Sequence, residues 1–385
     1  MSALRIIGAL LAITELPFVM MIRHSLAGRI SSDSVMLGLR LSDGRTAWGE
    51  CLPRDYVTGE DTEGTFAVLA EAIKGWKGQC VPLDRGEFES GFWADALKAL
   101  ESTPSARSAL ESALLDAWGL ATNKSVVDLL GPVQRSLVSY TGIIPADAPA
   151  VVAMVAQRTA AVGIATLKLK VGLDLERDIA NVRLCRDAYE GPVDIRVDAN
   201  CAWSVDEAAR SIEALFSEGV VSFEEPLAAG EVEAYIELRE HLPDGAKVIA
   251  DESLCSLADA HKLIKARAVQ GLNLKVSKLG GLLQTLAVVD AARQAGLTCQ
   301  LGAHIGESSL MTAAGLAVAA LTGDLVAHEG AYGTRLLEYD LVEEPLQFGP
   351  NGQLSVQAIM GAPGWSLAID ESRVEGAARL FKKLH

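Results

Sequence analysis

Charged residues end a series of short apolar runs between residues 165 and 280. The runs are TLKLKVG with Lys168 and Lys170, VDIRVDAN with Asp198, VSFEEP with Glu224, VIADES with Asp251, and LNLKVSK with Lys275. From Lys170 onward these charges follow one another at intervals of about 24 to 28 residues. A strand, a crossover helix and the next strand need a similar length. Each charge is therefore predicted at the carboxyl end of a parallel strand, where barrel enzymes carry their chemistry.

The three acids could bind a metal ion. Asp198, Glu224 and Asp251 offer hard oxygen ligands at the ends of three successive predicted strands. Neighbouring strands lie roughly 5 Å apart, so the three side chains can share one cation. A set of carboxylates without His or Cys favours Mg²⁺, with Mn²⁺ as the alternative, rather than zinc. Taken singly, Asp198 and Asp251 are also acceptable helix caps, but the set of three framed by lysines predicts a metal site.

The lysines on either side of the acids could move a proton. Lys168 and Lys170 share one face of their strand. Two ammonium groups at close range disfavour each other's charged form, so the pair is predicted to lower a lysine pKa toward that of a useful base. An exposed strand edge with solvated lysines is the alternative. Lys275 would face the metal from the side opposite Lys170, and a lysine on either face could remove or return the α-proton of a metal-bound carboxylate.

The segment after Gly131-Pro132 supplies the elements that position these residues. It predicts strands that alternate with amphipathic helices such as 149–162, 175–189 and 205–218. The strands are predicted near residues 137–144, 165–171, 193–198, 220–225, 247–252, 271–277, 297–303 and 325–330. Eight strands close a (β/α) barrel, so we predict an α/β fold with a barrel over residues 132–340.

The first third of the chain has a different pattern. Strands at residues 3–22, 34–41 and 45–50 precede helices at residues 62–78, 87–100 and 105–122. Strands followed by helices predict a separate α+β domain over residues 1–131. The tail, residues 341–385, is rich in Pro and Gly turns and is predicted to pack back on this first domain.

The composition limits the partners. The 385 residues carry a formal net charge of −16, which disfavours nucleic acid and anionic membranes. No run reaches the roughly 18 to 20 uncharged apolar residues of a membrane helix. The six cysteines form no CxxC pair, which favours a reducing cytoplasm. We expect a cytoplasmic homo-oligomer whose partner is a small-molecule carboxylate.

The ordered motifs KxK, DxN, ExP, DES and NxKxxKxGG resemble those of the muconate-lactonizing-enzyme subgroup of the enolase superfamily, and the likeness covers the whole chain. The resemblance implies a modified TIM barrel with an α+β capping domain, built from the N-terminal segment and the C-terminal tail. It implies metal binding by the three acids, acid/base roles for Lys170 and Lys275, and an electrostatic role for Lys168. Glu225, in FEEP, stands where many members have Gln.

The same resemblance implies substrate contacts at the mouth of the barrel. The capping segment RDYVTGED, residues 54–61, resembles a loop that closes over substrate, although a packed turn would have the same sequence features. Its candidates are Tyr56 and Thr58. The candidates at the strand ends are Asn200, His304, Glu307 and Glu329.

Dipeptide epimerases of this subgroup carry an Asp-x-Asp pair at the eighth strand to hold the substrate's ammonium group. This chain has His328-Glu329-Gly330 there, which argues against a dipeptide substrate. We predict a Mg²⁺-dependent isomerase that abstracts a proton α to a carboxylate through an enolate. It would be a muconate cycloisomerase-like enzyme or a racemase or epimerase of amino-acid derivatives. A dehydratase using the same enolate and a non-catalytic small-molecule binding protein are the alternatives.

Overall fold

The computed structural model describes residues 4–24 and 27–384. The amino-terminal part has strands β1 (Ile6–His24), β2 (Ala27–Leu41) and β3 (Thr46–Cys51), then helices α1 (Asp55–Thr58), α2 (Thr62–Ala72), α3 (Arg85–Phe88), α4 (Gly91–Lys98), α5 (Pro104–Thr122) and α6 (Val126–Leu130). The predicted helix 87–100 is divided between α3 and α4. The division lies at Ser90, whose extended backbone, with φ −134° and ψ 164°, is not found inside a continuous helix.

Strands and helices alternate through most of the remaining chain. They are β4 (Leu137–Ser139), β5 (Gly142–Ile144), α7 (Pro149–Val162), β6 (Thr166–Lys170), α8 (Leu175–Asp187), β7 (Asp194–Asp198), α9 (Val205–Ser217), β8 (Ser222–Glu224), α10 (Val232–Arg239), β9 (Lys247–Ala250), α11 (Leu257–Ala266), β10 (Gly271–Leu274), α12 (Leu282–Gln294), β11 (Thr298–Leu301), α13 (Ser309–Thr322), β12 (Gln353–Ser355), α14 (Glu371–Ala377) and β13 (Ala378–Leu384). Side-chain caps fix several helix starts. α9, for example, begins with a capping box between Ser204 and Glu207.

The amino-terminal strands form an antiparallel sheet with the last strand of the chain, in the order β13-β1-β2-β3. Helix α5 packs closely on β3, where a side chain at Gly49 would overlap the backbone of Ala109. The buried carboxylate of Asp116, also on α5, accepts hydrogen bonds from the N–H groups of Trp48 and Trp365. This one side chain therefore ties the helix both to β3 and to the C-terminal segment.

Seven strands form a parallel sheet in the order β11-β10-β9-β8-β7-β6-β5. The helices between them bury their apolar faces against this sheet, as parallel strands require. The register pairs Lys170 with Asp198 and Asp198 with Glu224, so the ends of β6, β7 and β8 lie side by side. The prediction of an α/β fold is confirmed, and an antiparallel sheet precedes the parallel one.

Two of the predicted strands differ from those observed. The first, 137–144, is divided, because β4 pairs with β12 while β5 joins the parallel sheet. The eighth, 325–330, has only an isolated parallel bridge at His328. Backbone hydrogen bonds nevertheless join this segment to a neighbour on each side. The Leu301 N–H of β11 donates to the carbonyl of Ala327, and the Thr141 N–H, just before β5, donates to the carbonyl of His328. Three backbone hydrogen bonds join this segment to β11, but only the one from Thr141 joins it to the other side, so it forms an isolated bridge rather than a strand.

The two parts of the chain meet near the end of β10. Arg107 of α5 donates to the carbonyl of Gly280, and Glu111 accepts from the N–H of Leu283 at the start of α12. Gly281 has a φ of 117°, and a side chain there would overlap the Glu111 carboxylate. The lack of a side chain at Gly281 therefore leaves space for the buried carboxylate of Glu111. Within the described residues, no helix has both the length and the apolarity needed to cross a membrane.

Candidate active site

The carboxyl ends of three neighbouring strands bring Asp198, Glu224 and Asp251 together. Asp198 and Glu224 end β7 and β8, and Asp251 directly follows β9. All three carboxylates are buried. The backbone turns sharply after Glu224, because Glu225 has a left-handed φ of 35°. Such a conformation is uncommon for a residue with a side chain and is retained where the surrounding structure enforces it, often at functional sites.

Lys168 lies among several carboxylates. Its Nζ is 3.0 Å from Glu224 Oε1, 3.3 Å from Asp198 Oδ2 and 2.6 Å from Glu329 Oε2. Burial lowers the pKa of Lys168, but these negative charges outweigh burial and hold that pKa well above its usual value. The raised pKa agrees with the electrostatic role expected of Lys168, and the lowered lysine pKa expected of the pair stays a prediction. The nearest charged neighbours of Lys168 are carboxylates, so its charged form is favoured.

Lys170 and Lys275 stand at opposite ends of the row of acids. Lys170 Nζ is 2.6 Å from Asp198 Oδ2, and Lys275 Nζ is 2.6 Å from Asp251 Oδ2. Their side chains are 18% and 12% exposed, so both keep partial access to solvent. Burial lowers the pKa of Lys275, but the charge of Asp251 reverses this effect and raises it above the usual value. Each lysine is thus held by a different acid of the row.

A further lysine, Lys278, fixes the other oxygen of Asp251. It is fully buried, and its Nζ is 2.7 Å from Asp251 Oδ1 and 3.2 Å from the carbonyl of Asn273. Burial alone would raise the pKa of Asp251, but Lys275 and Lys278 hold it well below its usual value. Asp251 is therefore a carboxylate with a cation on each oxygen.

Glu329, a predicted substrate contact, is buried against two cations. Its carboxylate lies 2.6 Å from Lys168 Nζ and 3.1 Å from Arg196 Nη2. Arg196 also donates to Gln300, which in turn donates to Glu224. A chain of hydrogen bonds between charged and polar side chains thus joins Glu329 to Glu224, and such chains hold their members in fixed orientations.

Asn200 lies at the carboxyl end of β7 with a left-handed φ of 45°. Its N–H donates to Asp198 Oδ1 at 3.0 Å. Its side-chain Oδ1 accepts from Lys170 at 2.8 Å, and its Nδ2 donates to Glu252 Oε1 at 3.0 Å. The structure therefore brings Asn200 together with Lys170 and Asp198.

His304 and Glu307 form a turn after β11. Glu307 Oε1 accepts from the His304 N–H at 2.8 Å. Burial, followed by the charges of Lys275 and Arg54, holds the pKa of His304 well below its usual value. Burial raises the pKa of Glu307 to about 8. Burial therefore favours the neutral form of both side chains.

Helix α1 carries the exposed Tyr56 and the half-buried Thr58. Tyr56 is 37% exposed. Helix α1 approaches the loop after Asp251 through Val57, whose carbonyl accepts from Cys255 Sγ at 3.5 Å. Tyr56 and Thr58 therefore lie on a helix that contacts the loop after Asp251, and their role in substrate binding stays a prediction.

Arg54, which directly precedes helix α1, connects the start of this helix to the turn after β11. Its side chain is buried and donates to the carbonyls of Pro53, Asp33 and Ile305. Ser32 Oγ donates to the same Ile305 carbonyl at 3.3 Å. The β1–β2 hairpin, helix α1 and the turn with His304 are therefore joined at one point.

A family described as Enolase C-terminal domain-like matches residues 150–373, more than half of the chain. The chain belongs to the enolase superfamily. Muconate cycloisomerase 1 of Rhodococcus opacus is 28% identical over 361 residues, which cover 92% of this chain and 94% of that protein. N-succinyl-L-Arg/Lys racemase of Bacillus cereus is 27% identical over 292 residues, covering 74% and 76%. The structure of a Cytophaga hutchinsonii dipeptide epimerase, complexed with Mg and a dipeptide, matches with a TM-score of 0.88 at 24% identity, covering 99% and 100%.

These members of the enolase superfamily are named as a cycloisomerase, a racemase and an epimerase. The prediction of an isomerase of the muconate-lactonizing-enzyme subgroup is confirmed at this level. The row of acids is also compatible with the divalent cation of such an enzyme. Asp198, Glu224 and Asp251 offer carboxylate oxygens alone, the ligands that Mg²⁺ takes in proteins.

A second group of ligand atoms fits a metal less well. Cys201, Glu225 and Glu252 place one ligand atom each within 4.8 Å of one another. However, the Glu225 carboxylate already accepts from the hydroxyls of Tyr235 and Ser253 and from the N–H groups of Asp251 and Ser253. These donors occupy its lone pairs, so Glu225 anchors the loop after β9.

Several polar residues of this enolase-superfamily site were missed by sequence reasoning. Arg196 lies two residues before Asp198 on β7, and Asn273, on β10, lies two residues before Lys275, which directly follows that strand. Side chains two apart on a strand share a face, so this spacing was a usable signal. Lys278, Glu252 and Arg54 follow strands in irregular segments, where no periodicity indicates the direction of a side chain.

Proposed function

We propose that this protein is a Mg²⁺-dependent isomerase that moves the proton α to a carboxylate, in a racemase or epimerase reaction. The observation that carries the proposal is the placement of Lys170 and Lys275 at the two ends of the acid row. A substrate carboxylate held at the row has one lysine for each face of its α-carbon. Racemisation needs both lysines, one for each face, and both are in place, whereas cycloisomerisation of a muconate would use only one of them as an acid.

The proposed reaction uses each lysine once. One lysine, as the amine, accepts the α-proton at its Nζ, and the other, as the ammonium, donates a proton to the opposite face. Lys168 keeps its charge and stabilises the negative charge that develops on the substrate. When bound, Mg²⁺ would be held by Asp198, Glu224 and Asp251 and would stabilise the same charge. The Mg complex of the structurally similar dipeptide epimerase supports this choice of metal.

We infer that the substrate is an amino-acid derivative whose nitrogen is acylated. An ammonium group needs a free anion, and Glu329 is already paired with Lys168 and Arg196. Burial favours the neutral forms of His304 and Glu307, which suits an amide or a hydroxyl group better than a second charge. The racemase relative named for N-succinyl amino acids supports this class.

We also propose that the parallel sheet closes into a (β/α) barrel of the modified TIM type. The bonds of segment 326–329 to both Leu301 and Thr141 support closure at the eighth position. We keep the division into a capping domain (1–131), a barrel (132–340) and a tail (341–385). The pairing of β13 with β1 supports the return of the tail to the capping domain.

The remaining proposals concern the metal, the cellular location, the partners and the oligomeric state of the enzyme. We propose Mg²⁺ as the metal with Mn²⁺ as a substitute, a cytoplasmic location, no nucleic-acid or membrane partner, and a homo-oligomeric state. The net charge of −16 supports the absence of a nucleic-acid partner. Light scattering on the purified protein measures the oligomeric state directly.

The test of the proposed function is exchange of the α-proton in D₂O. The purified protein with Mg²⁺ is incubated with each enantiomer of N-succinyl and N-acetyl amino acids, dipeptides and proline derivatives, and with muconates, and ¹H NMR follows the α-proton. We expect exchange from both enantiomers of at least one N-acylamino acid, and none with the Lys170→Ala/Lys275→Ala double variant. Lactone formation from a muconate without exchange of amino-acid derivatives would instead establish a cycloisomerase. Absence of both reactions would refute the proposal.

A further inference from the structure

Glu252 occupies a position whose burial needs an explanation. It follows Asp251 in the loop after β9 and is 8% exposed. Among the described residues, Asn200 Nδ2 is the only hydrogen-bond donor to its carboxylate, and Oε2 has no partner. A buried carboxylate with so few donors costs stability. The hydrogen bond from Asn200 is therefore the contact from which a role for the Glu252 side chain can be inferred.

That contact fixes the direction of the Asn200 amide. Lys170 can only donate, so it faces Asn200 Oδ1, and this leaves Asn200 Nδ2 to donate to Glu252 Oε1. The backbone N–H of Asn200 is held separately by Asp198. Rotating the amide by half a turn would place an N–H group against an ammonium and an oxygen against a carboxylate. The chemistry of the two neighbours thus selects one orientation.

We propose that Glu252 is a positioning residue for Lys170, acting through the side-chain amide of Asn200. The distances are 3.0 Å from Glu252 Oε1 to Asn200 Nδ2 and 2.8 Å from Asn200 Oδ1 to Lys170 Nζ. With Asp198, the oriented amide gives the Lys170 Nζ two fixed acceptors. This directs Nζ within the mouth of the site, where a displacement of about 1 Å can cost a hundredfold in rate.

The arrangement is not repeated at the other end of the acid row. The hydrogen bond of Lys275 within the described residues is to Asp251, and no side-chain amide accepts from it. The negative charge of Glu252 does reach Lys275, because it is one of the charges that act on that lysine. An experiment can therefore distinguish the effect of the Glu252 hydrogen bond from the effect of its charge. The hydrogen bond acts on Lys170 through Asn200, whereas the charge acts on both lysines.

The inference rests on the proposed function, and its kinetic test uses exchange from each enantiomer of a substrate that the wild-type protein exchanges. The enantiomer whose exchange is lost in Lys170→Ala defines the Lys170 face. We expect Glu252→Ala to slow exchange on that face by about tenfold to a hundredfold, with a much smaller effect on the Lys275 face. Glu252→Gln keeps an oxygen for Asn200 Nδ2 and should restore the Lys170 face to within a few-fold of the wild type. An equal loss on both faces in both variants would assign the effect to charge and overturn the proposal.

Asn200→Ala tests whether the effect passes through the amide. The double variant Asn200→Ala/Glu252→Ala should be no slower on the Lys170 face than Asn200→Ala alone, whereas additive losses would show that Glu252 acts by another route. Asp116→Ala is the matched control, because it removes a buried carboxylate of α5 whose hydrogen bonds go to the N–H groups of Trp48 and Trp365. It should lower thermal stability without changing the ratio of the two exchange rates.

Crystal structures give a readout that does not depend on turnover. The contact between Lys170 Nζ and Asn200 Oδ1 should be present in the wild type and Glu252→Gln and lost in Glu252→Ala. If it persists in Glu252→Ala, the positioning role is wrong even when the protein exchanges its substrate. If the structures behave as expected while the wild type exchanges nothing, the positioning role stands and the proposed reaction fails.

Discussion

Lys278 and Asp251 form an ion pair in which both side chains are buried, with 2.7 Å between Lys278 Nζ and Asp251 Oδ1. Lys275 occupies the other oxygen, Oδ2, at 2.6 Å. The two lysines differ in exposure, because Lys278 is fully buried while Lys275 is 12% exposed. Lys278 therefore holds the acid, and Lys275 is the one placed to meet a substrate.

We expect Lys278→Met to destabilise the protein by about 3 kcal/mol, because it removes one partner of a buried pair and leaves the Asp251 charge with Lys275 alone. Chemical denaturation of the metal-free protein measures this loss. Lys262→Met is the control, since Lys262 pairs with Asp259 on an exposed helix face and should change stability little. Equal stability of the two variants would contradict the assigned role of Lys278.

Replacing any acid of the row by its amide should remove most of the affinity for Mg²⁺. Asp198→Asn, Glu224→Gln and Asp251→Asn each exchange a charged oxygen ligand for a neutral amide. Titration calorimetry with Mg²⁺ or Mn²⁺ measures the affinity without requiring turnover. Glu225→Gln is the matched control and should bind normally, because its amide can donate to the Tyr235 and Ser253 hydroxyls that now donate to the carboxylate. Unchanged affinity in all three row variants would rule out this metal site.

Single lysine variants should each stop exchange from one enantiomer. Lys170→Ala and Lys275→Ala remove the base from opposite ends of the acid row, so each leaves the other face in place. Exchange of each enantiomer in D₂O, followed by ¹H NMR, separates the two effects. Loss of both enantiomers in one variant together with partial activity in the other would indicate cycloisomerase-type chemistry with a single acid/base lysine.

The stability of the protein should respond to pH through Asp116. Burial raises the pKa of this carboxyl from 3.8 to about 7. Between these values the folded state keeps a proton that the unfolded state has lost, so this group's contribution to stability falls as pH rises from about 4 to about 7. Its size is on the order of 4 kcal/mol, at 1.36 kcal/mol for each unit.

Asp116→Asn removes this titration and shows whether the assignment is right. The free energy of unfolding of the wild type, measured relative to Asp116→Asn, should decline across that pH window. The asparagine loses one of the two N–H contacts from Trp48 and Trp365, which adds an offset that does not depend on pH. A constant difference between the two proteins from pH 4 to pH 7 would contradict the raised pKa.

Most of the acid row could be predicted from the sequence. The regular spacing of Lys170, Asp198, Glu224, Asp251 and Lys275 is the length of one strand–helix–strand unit, and parallel strands bring such ends to one edge of a sheet. Helix starts were also well determined, because caps such as Ser204 with Glu207 are local in sequence. For these features the relevant interactions lie within one or two elements.

Only the tertiary structure decided which partner each charge meets. Lys168 contacts Glu224, which is 56 residues away along the chain, and Glu329, which lies in the irregular segment after α13. Lys278 and Glu252 follow strands in irregular loops, so their directions depend on how those loops pack. Electrostatic effects fall steeply with distance and rise with burial, and both follow from strand register and packing rather than from spacing along the chain.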